Sequence, residues 1–160
     1  MVFATTERGV IVIAFKPSGN FNPRSGEFAI LRKLLSAKVH SGADLAKLAR
    51  ERIPVEVIDR LSNFGLDAHE LSFIIHRRTL THRRQRHERL SIDESDKAIR
   101  LAKILAQATT CFSNREKAIR WLRRAQQRFG GTSAFEFLGS EHGARVVEEA
   151  IEQISEGYFA

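Results

Sequence analysis

The chain has 160 residues, 26 lysines and arginines against 19 aspartates and glutamates, and one cysteine, Cys111. That length suits one domain, or one small domain with an appendage, and buries a core without covalent staples. A formal charge of +7 and a pI of about 10.2 point toward nucleic acid or an acidic partner, while the lone cysteine excludes an internal disulfide and reads as a small buried hydrophobe in a reducing compartment.

In chain order, the first readable feature is Val10–Phe15, an apolar run with the composition of one short strand. It is far short of the ~20 residues that cross a bilayer. It also lacks the cationic flank and cleavage site of a signal peptide, so the expected location is the cytoplasm, with no membrane partner. Pro17, Gly19, Asn20, Asn22, Pro23 and Gly26 then make a loop. From Glu27 the pattern turns helical, with Phe28, Leu31 and Leu35 on one face, until His40-Ser41-Gly42 breaks it. A second helix presents Leu45, Leu48 and Ala49. Pro54 stands at the first turn of a third, whose Val57, Leu61 and Phe64 lead to Gly65 at the C′ position. Asp67 caps a short fourth helix with Leu71, Ile74 and Ile75 as its apolar face.

Downstream, Ser91–Glu94, Ser113–Glu116 and Ser133–Glu136 each read S-x-x-E at the head of an apolar-periodic run. The first run carries Ala98, Leu101, Leu105, Ala108 and Phe112, and the second Ala118, Leu122, Ala125 and Phe129. The last helix carries Ala144, Val147, Ile151 and Ile154, a stripe that reaches Tyr158. The chain therefore reads as all-α, mostly helical, with one short N-terminal strand. It divides into an N-terminal extension over 1–41, a helix-turn-helix-like DNA-binding and dimerisation part over 42–90, and a C-terminal helical domain over 91–160.

Residues 76–89 hold six arginines, three histidines and one acid. On a helix, Thr79, His82, Arg83 and Arg86 fall on one face, and Leu80 points away from it. A short helix, a turn and a second helix with a basic outer face is the helix-turn-helix pattern. Arginine forks onto guanine, and several arginines together displace counterions from the duplex. Ile74 and Ile75 occupy the expected turn, where a left-handed residue is costly for a β-branched side chain; either the turn is longer or the motif is distorted. The histidines do not share a helical face, so no metal is expected. No phosphate loop, Cys/His cluster or Ser/His/Asp constellation stands at informative spacing. No enzyme and no cofactor are expected.

Charge is uneven: residues 113–160 hold seven cations against seven acids, so the basic excess lies upstream. That suggests two tasks on two surfaces. The sequence closes Glu156-Gly157-Tyr158-Phe159-Ala160, and two aromatics there leave a hydrophobic tip in water unless a partner covers it.

Leu90-Ser91-Ile92-Asp93-Glu94-Ser95-Asp96, Gly130-Gly131-Thr132-Ser133, Glu141-His142-Gly143-Ala144-Arg145 and Gly157-Tyr158-Phe159-Ala160 resemble the Xre/MbcA/ParS-type antitoxins, the partners of RES-domain toxins. Ile53-Pro54-Val55 and Arg77-Arg78-Thr79-Leu80 resemble the helix-turn-helix half of that family. The likeness covers roughly residues 42–160. It implies a type II antitoxin that binds a RES-domain, NAD-degrading toxin and blocks its active site with the C-terminal end. The same resemblance implies binding to double-stranded DNA at its own promoter as an autorepressor. By position, the toxin-facing residues are Glu141, Arg145, Gly157, Tyr158, Phe159 and Ala160. The DNA-facing residues are Arg77, Arg78, Thr79, His82, Arg83 and Arg86. A homodimer is expected, because helix-turn-helix proteins read paired half-sites and the Phe28–Leu35 stripe needs cover. The competing expectation is a stand-alone helix-turn-helix regulator without a toxin partner.

Overall fold

The computed structural model describes residues 25–157 and the backbone of Thr6–Glu7 and Val10–Ile11. Strands β1 (Thr6–Glu7) and β2 (Val10–Ile11) pair antiparallel, with Thr6 opposite Ile11 and Glu7 opposite Val10. The expected strand thus begins in β2 and finds its partner just upstream, a pairing that the sequence reading did not include. Its remaining residues, 12–15, lie outside the described residues.

The helices are α1 (Ser25–Leu35), α2 (Gly42–Arg50), α3 (Glu56–Asn63), α4 (Arg77–Gln85), α5 (Ile92–Phe112), α6 (Arg115–Arg123), α7 (Ala134–Phe137) and α8 (Glu141–Ser155). At 21 residues, α5 is roughly 31 Å long, and α1, α2, α3, α6 and α8 all pack on it. Its sequence explains that position. The expected stripe of Ala98, Leu101, Leu105 and Ala108 is fully buried, but so are Ala102, Ile104 and Ala106 on its flanks. A helix apolar on more than one face belongs inside. Its one buried polar side chain, Ser95, accepts a hydrogen bond from the Ile53 N–H at 3.0 Å, which ties the segment before α3 to the first turn of α5.

Local chemistry sets the helix ends. Ser91 caps α5 in a reciprocal box with Glu94, as the spacing predicts. The same motif at Ser113 resolves differently. Ser113 ends α5 in a left-handed conformation, φ 48°, and Asn114 caps α6 by accepting from the Lys117 N–H at 2.8 Å. Asn is as good a cap as Ser, and it stands where the chain leaves α5. The second apolar run also stops early. Helix α6 ends at Arg123 because Arg124 turns extended, which leaves Ala125 exposed and carries Phe129 into a 3-10 turn over Gln127–Phe129. Phe129 is nonetheless buried, 6.0 Å from the Trp121 ring and 5.3 Å from Phe137.

Helix α1 forms where the periodicity places it, and Leu31, Leu34 and Leu35 are buried against α5 and α3. Arg60 of α3 holds its C-terminal end by donating to the Leu34 carbonyl at 2.7 Å. The stripe expected to need a second copy is therefore covered within the chain, which removes that ground for a dimer.

Candidate functional site

Two surfaces carry the candidate residues. The first is built from the end of α3 onward. Helix α3 buries Val57, Ile58 and Leu61 and stops at Phe64, followed by Gly65 at φ 119°. Asp67 and Glu70 then exchange backbone and carboxylate hydrogen bonds at 2.9 Å. They head two successive hydrogen-bonded turns, Asp67–Leu71 and Leu71–Ile75, rather than the expected fourth helix, although Leu71, Ile74 and Ile75 are buried as its apolar face. Among the described residues, left-handed non-glycine backbone falls at Ser36, Arg52, His87 and Ser113, not at Ile74 or Ile75. The turn is wound without a left-handed residue, so neither isoleucine is strained.

Helix α4 follows. His76 stands at its N-cap with no side-chain cap hydrogen bond, so the first amides of α4 are open to an anion. Arg77, Arg78, Thr79, His82 and Arg86 are exposed, and Leu80 packs inward against the core. Arg83 is separated from that group. Its side chain is only 17% exposed; Nε lies 3.0 Å from Glu94 and Nη1 lies 3.3 Å from Glu88 and from the Arg89 carbonyl. The i, i+3, i+4, i+7 spacing places Arg83 on the open face, but Glu94 in the first turn of α5 and Glu88 in the loop before it draw it inward. Arg84 is likewise engaged, by Asp59 of α3. The end of the segment is laced to the link between α2 and α3: Arg52 donates to the Leu90 carbonyl at 2.8 Å, and Arg89 donates to the Arg52 carbonyl at 2.6 Å.

The second surface is α8 and its neighbours. Ser140 caps α8 by accepting from the Gly143 N–H at 3.0 Å. Gly143 itself has no alternative: a Cβ there would lie 2.0 Å from the Phe137 carbonyl oxygen, so α7 and α8 meet backbone against Cα. Glu141 and Arg145 pair across one turn at 2.9 Å, both exposed. Hydrogen bonding to Arg145 holds the Glu141 carboxyl below the usual carboxylate range, helped by the charges of Arg145, Arg100 and His142. Ala144, Val147 and Ile151 are buried, as their stripe predicts, and Ile154 is half-buried. Gly157, at φ 78°, takes the chain out of the helix. Tyr158, Phe159 and Ala160 lie outside the described residues.

Glu141 and Arg145 also line an open groove of about 580 Å³ with Asp96 and Arg100 of α5 and Leu45 and Ala46 of α2. Lys103 bridges α5 to Glu148 of α8 at 2.9 Å on its wall. The Asp96–Arg100 spacing is visible in the sequence; that α2 and α5 share a groove with α8 is not. Among the described residues no three His, Cys, Asp or Glu side chains gather as a metal site, and no helix is long and apolar enough to cross a membrane.

Residues 44–103 match the family model of the antitoxin Xre-like helix-turn-helix domain. Residues 107–157 match that of the antitoxin Xre/MbcA/ParS C-terminal toxin-binding domain. A protein named Antitoxin Xre from Pseudomonas putida KT2440 is 42% identical over 85 residues, a stretch covering 53% of this chain and 54% of that protein. The chain thus spans about half the length of that curated relative.

Proposed function

The chain belongs to the Xre/MbcA/ParS antitoxin family, and on that premise we propose that it is the antitoxin of a type II toxin–antitoxin system. In this reading it binds a RES-domain, NAD-degrading toxin and obstructs the toxin's active site with its C-terminal end. The observation that carries it is the match to the toxin-binding domain, which runs to residue 157. There Gly157 turns the chain away from α8 by a left-handed residue. Helix α8 is the support, fixed by its buried stripe; Tyr158, Phe159 and Ala160 are the blocking segment. Glu141 and Arg145, exposed at the other end of α8, extend the contact. An arginine–glutamate pair in water is worth ~0–1 kcal/mol, so both side chains are free to exchange partners at low cost.

The same chain acts as an autorepressor at its own promoter, as a homodimer reading paired half-sites. Arg77, Arg78, Thr79, His82 and Arg86 form the DNA face, and the open N-terminus of α4 adds backbone donors for a phosphate. The basic face alone is also compatible with a stand-alone regulator. A gene for a small RES-like protein beside this one separates the two readings.

Co-expression tests the inhibitory part. A chain truncated after Glu156 retains the whole of α8 with its buried stripe, and it fails to protect cells from the cognate toxin. Protection by the truncated chain would overturn the tail mechanism.

A further inference from the structure

The neutrality of the C-terminal third conceals a segregation. Residues 113–128 carry six cations and one acid, whereas residues 129–160 carry one cation and six acids. The cations are on and just after α6. Lys117, Arg120 and Arg124 recur at i, i+3 and i+7, all exposed and opposite the buried Ala118, Ile119 and Leu122. Like charges at that spacing repel by a few tenths of a kcal/mol per pair. Among the described residues none of the three meets a carboxylate, although their neighbours do: Arg115 pairs with Glu116, and Arg123 with Glu70. A stripe that costs stability and has no internal partner is suited to an external anion.

Its place in the fold narrows the anion. Arg123 donates to the Gly65 carbonyl at 2.9 Å and grips Glu70 at 2.6 Å, a carboxylate only 8% exposed. The Arg115 guanidinium lies 5.8 Å from the centre of the Phe64 ring. An open groove of about 400 Å³ runs between, with Arg120 on its wall. So α6 is fastened to the loop that opens the turn before α4. We propose that the outer face of α6 is a second DNA-contacting surface, which takes the phosphate backbone without regard to base sequence while α4 reads the promoter. The proposal rests on the DNA-binding reading above.

The test uses the full chain, the promoter duplex and an unrelated duplex of equal length, with affinity followed against salt. Each phosphate contact contributes a slope of ~0.9 in log K against log salt. The variant Lys117→Gln/Arg120→Gln/Arg124→Gln loses up to about 2.7 from the slope on both duplexes and keeps the wild-type preference for the promoter. Arg77→Gln/Arg78→Gln, in contrast, loses that preference. An unchanged slope in the triple variant overturns the proposal. So does loss of toxin capture with DNA binding intact, which would assign the face to the toxin. If the wild type shows no promoter preference yet the triple variant still loses salt-dependent binding, the promoter reading falls and the α6 surface stands. No binding of the wild type to either duplex overturns both.

Discussion

At Arg83 and Arg77, two arginines of one helix have opposite fates. Arg83 binds Glu94, which itself closes the capping box of α5, and both side chains are mostly shielded from water. Replacing it with alanine leaves Glu94 short of its cation, at a cost of about 1–3 kcal/mol. Arg77→Ala, on the open face, changes stability by no more than about 0.5 kcal/mol. Urea denaturation of the two variants separates them, and equal midpoints would show that the Arg83 pair is not structural. Gly143 is a second case. Alanine inside a helix ordinarily gains ~1 kcal/mol over glycine, but here the new methyl meets the Phe137 carbonyl, which is backbone and cannot swing aside. Gly143→Ala is expected to lower stability by about 1–3 kcal/mol in the same measurement. Cys111, partly buried with Sγ 3.8 Å from the Ile151 carbonyl, has its thiol pushed up by burial. The thiolate is the reactive form, so alkylation at mildly alkaline pH is slower in the native protein than in urea.

At the scale of the element, caps and stripes decide what is legible. Helices α2, α3, α5 and α8 stand where apolar spacing predicts them, because burial of one face is a local pattern that survives folding. The errors also have local causes. Two adjacent cap residues compete at Ser113–Asn114, and the carbonyls of α5 leave Ser113 to the helix end. The segment after Asp67 has the cap and the apolar face of a helix, but its backbone bonds close as separate turns over Asp67–Leu71 and Leu71–Ile75 and do not run on as a helical ladder. Helix α1 tests the packing account. Leu31 is 2% exposed, so Leu31→Ala is expected to cost about 2–5 kcal/mol. If α1 instead served a dimer interface, the loss would depend on protein concentration, and a melt at two concentrations a hundredfold apart checks this.

Across the whole molecule, α5 belongs to both halves. The helix-turn-helix match ends at residue 103 and the toxin-binding match begins at 107, both inside this helix. The halves therefore share a core, and Arg83–Glu94 and Arg123–Glu70 bind the turn and α4 to α5 and α6. The candidate residues of the two surfaces stand on different helices, α4 and α8. We expect Arg77→Gln/Arg78→Gln to neutralise the toxin as the wild type does, and the chain cut after Glu156 to bind the promoter as the wild type does; cell survival and duplex binding measured on each variant check the pair.

The sequence alone determined most of the helices, the capping boxes at Ser91 and Ser133, the two-part organisation and the resemblance to the family, since each rests on spacing within a few residues or on a motif read in order. Only the tertiary structure decided which charges are free. Arg83 and Arg77 look alike in the sequence, as do Arg123 and Arg120, and what distinguishes them is a carboxylate 11 residues or 53 residues away. It also decided that the α1 stripe is covered by α5 and not by a second copy. Periodicity reports that a face must be buried or a charge solvated; the partner that does so is set by the path of the whole chain.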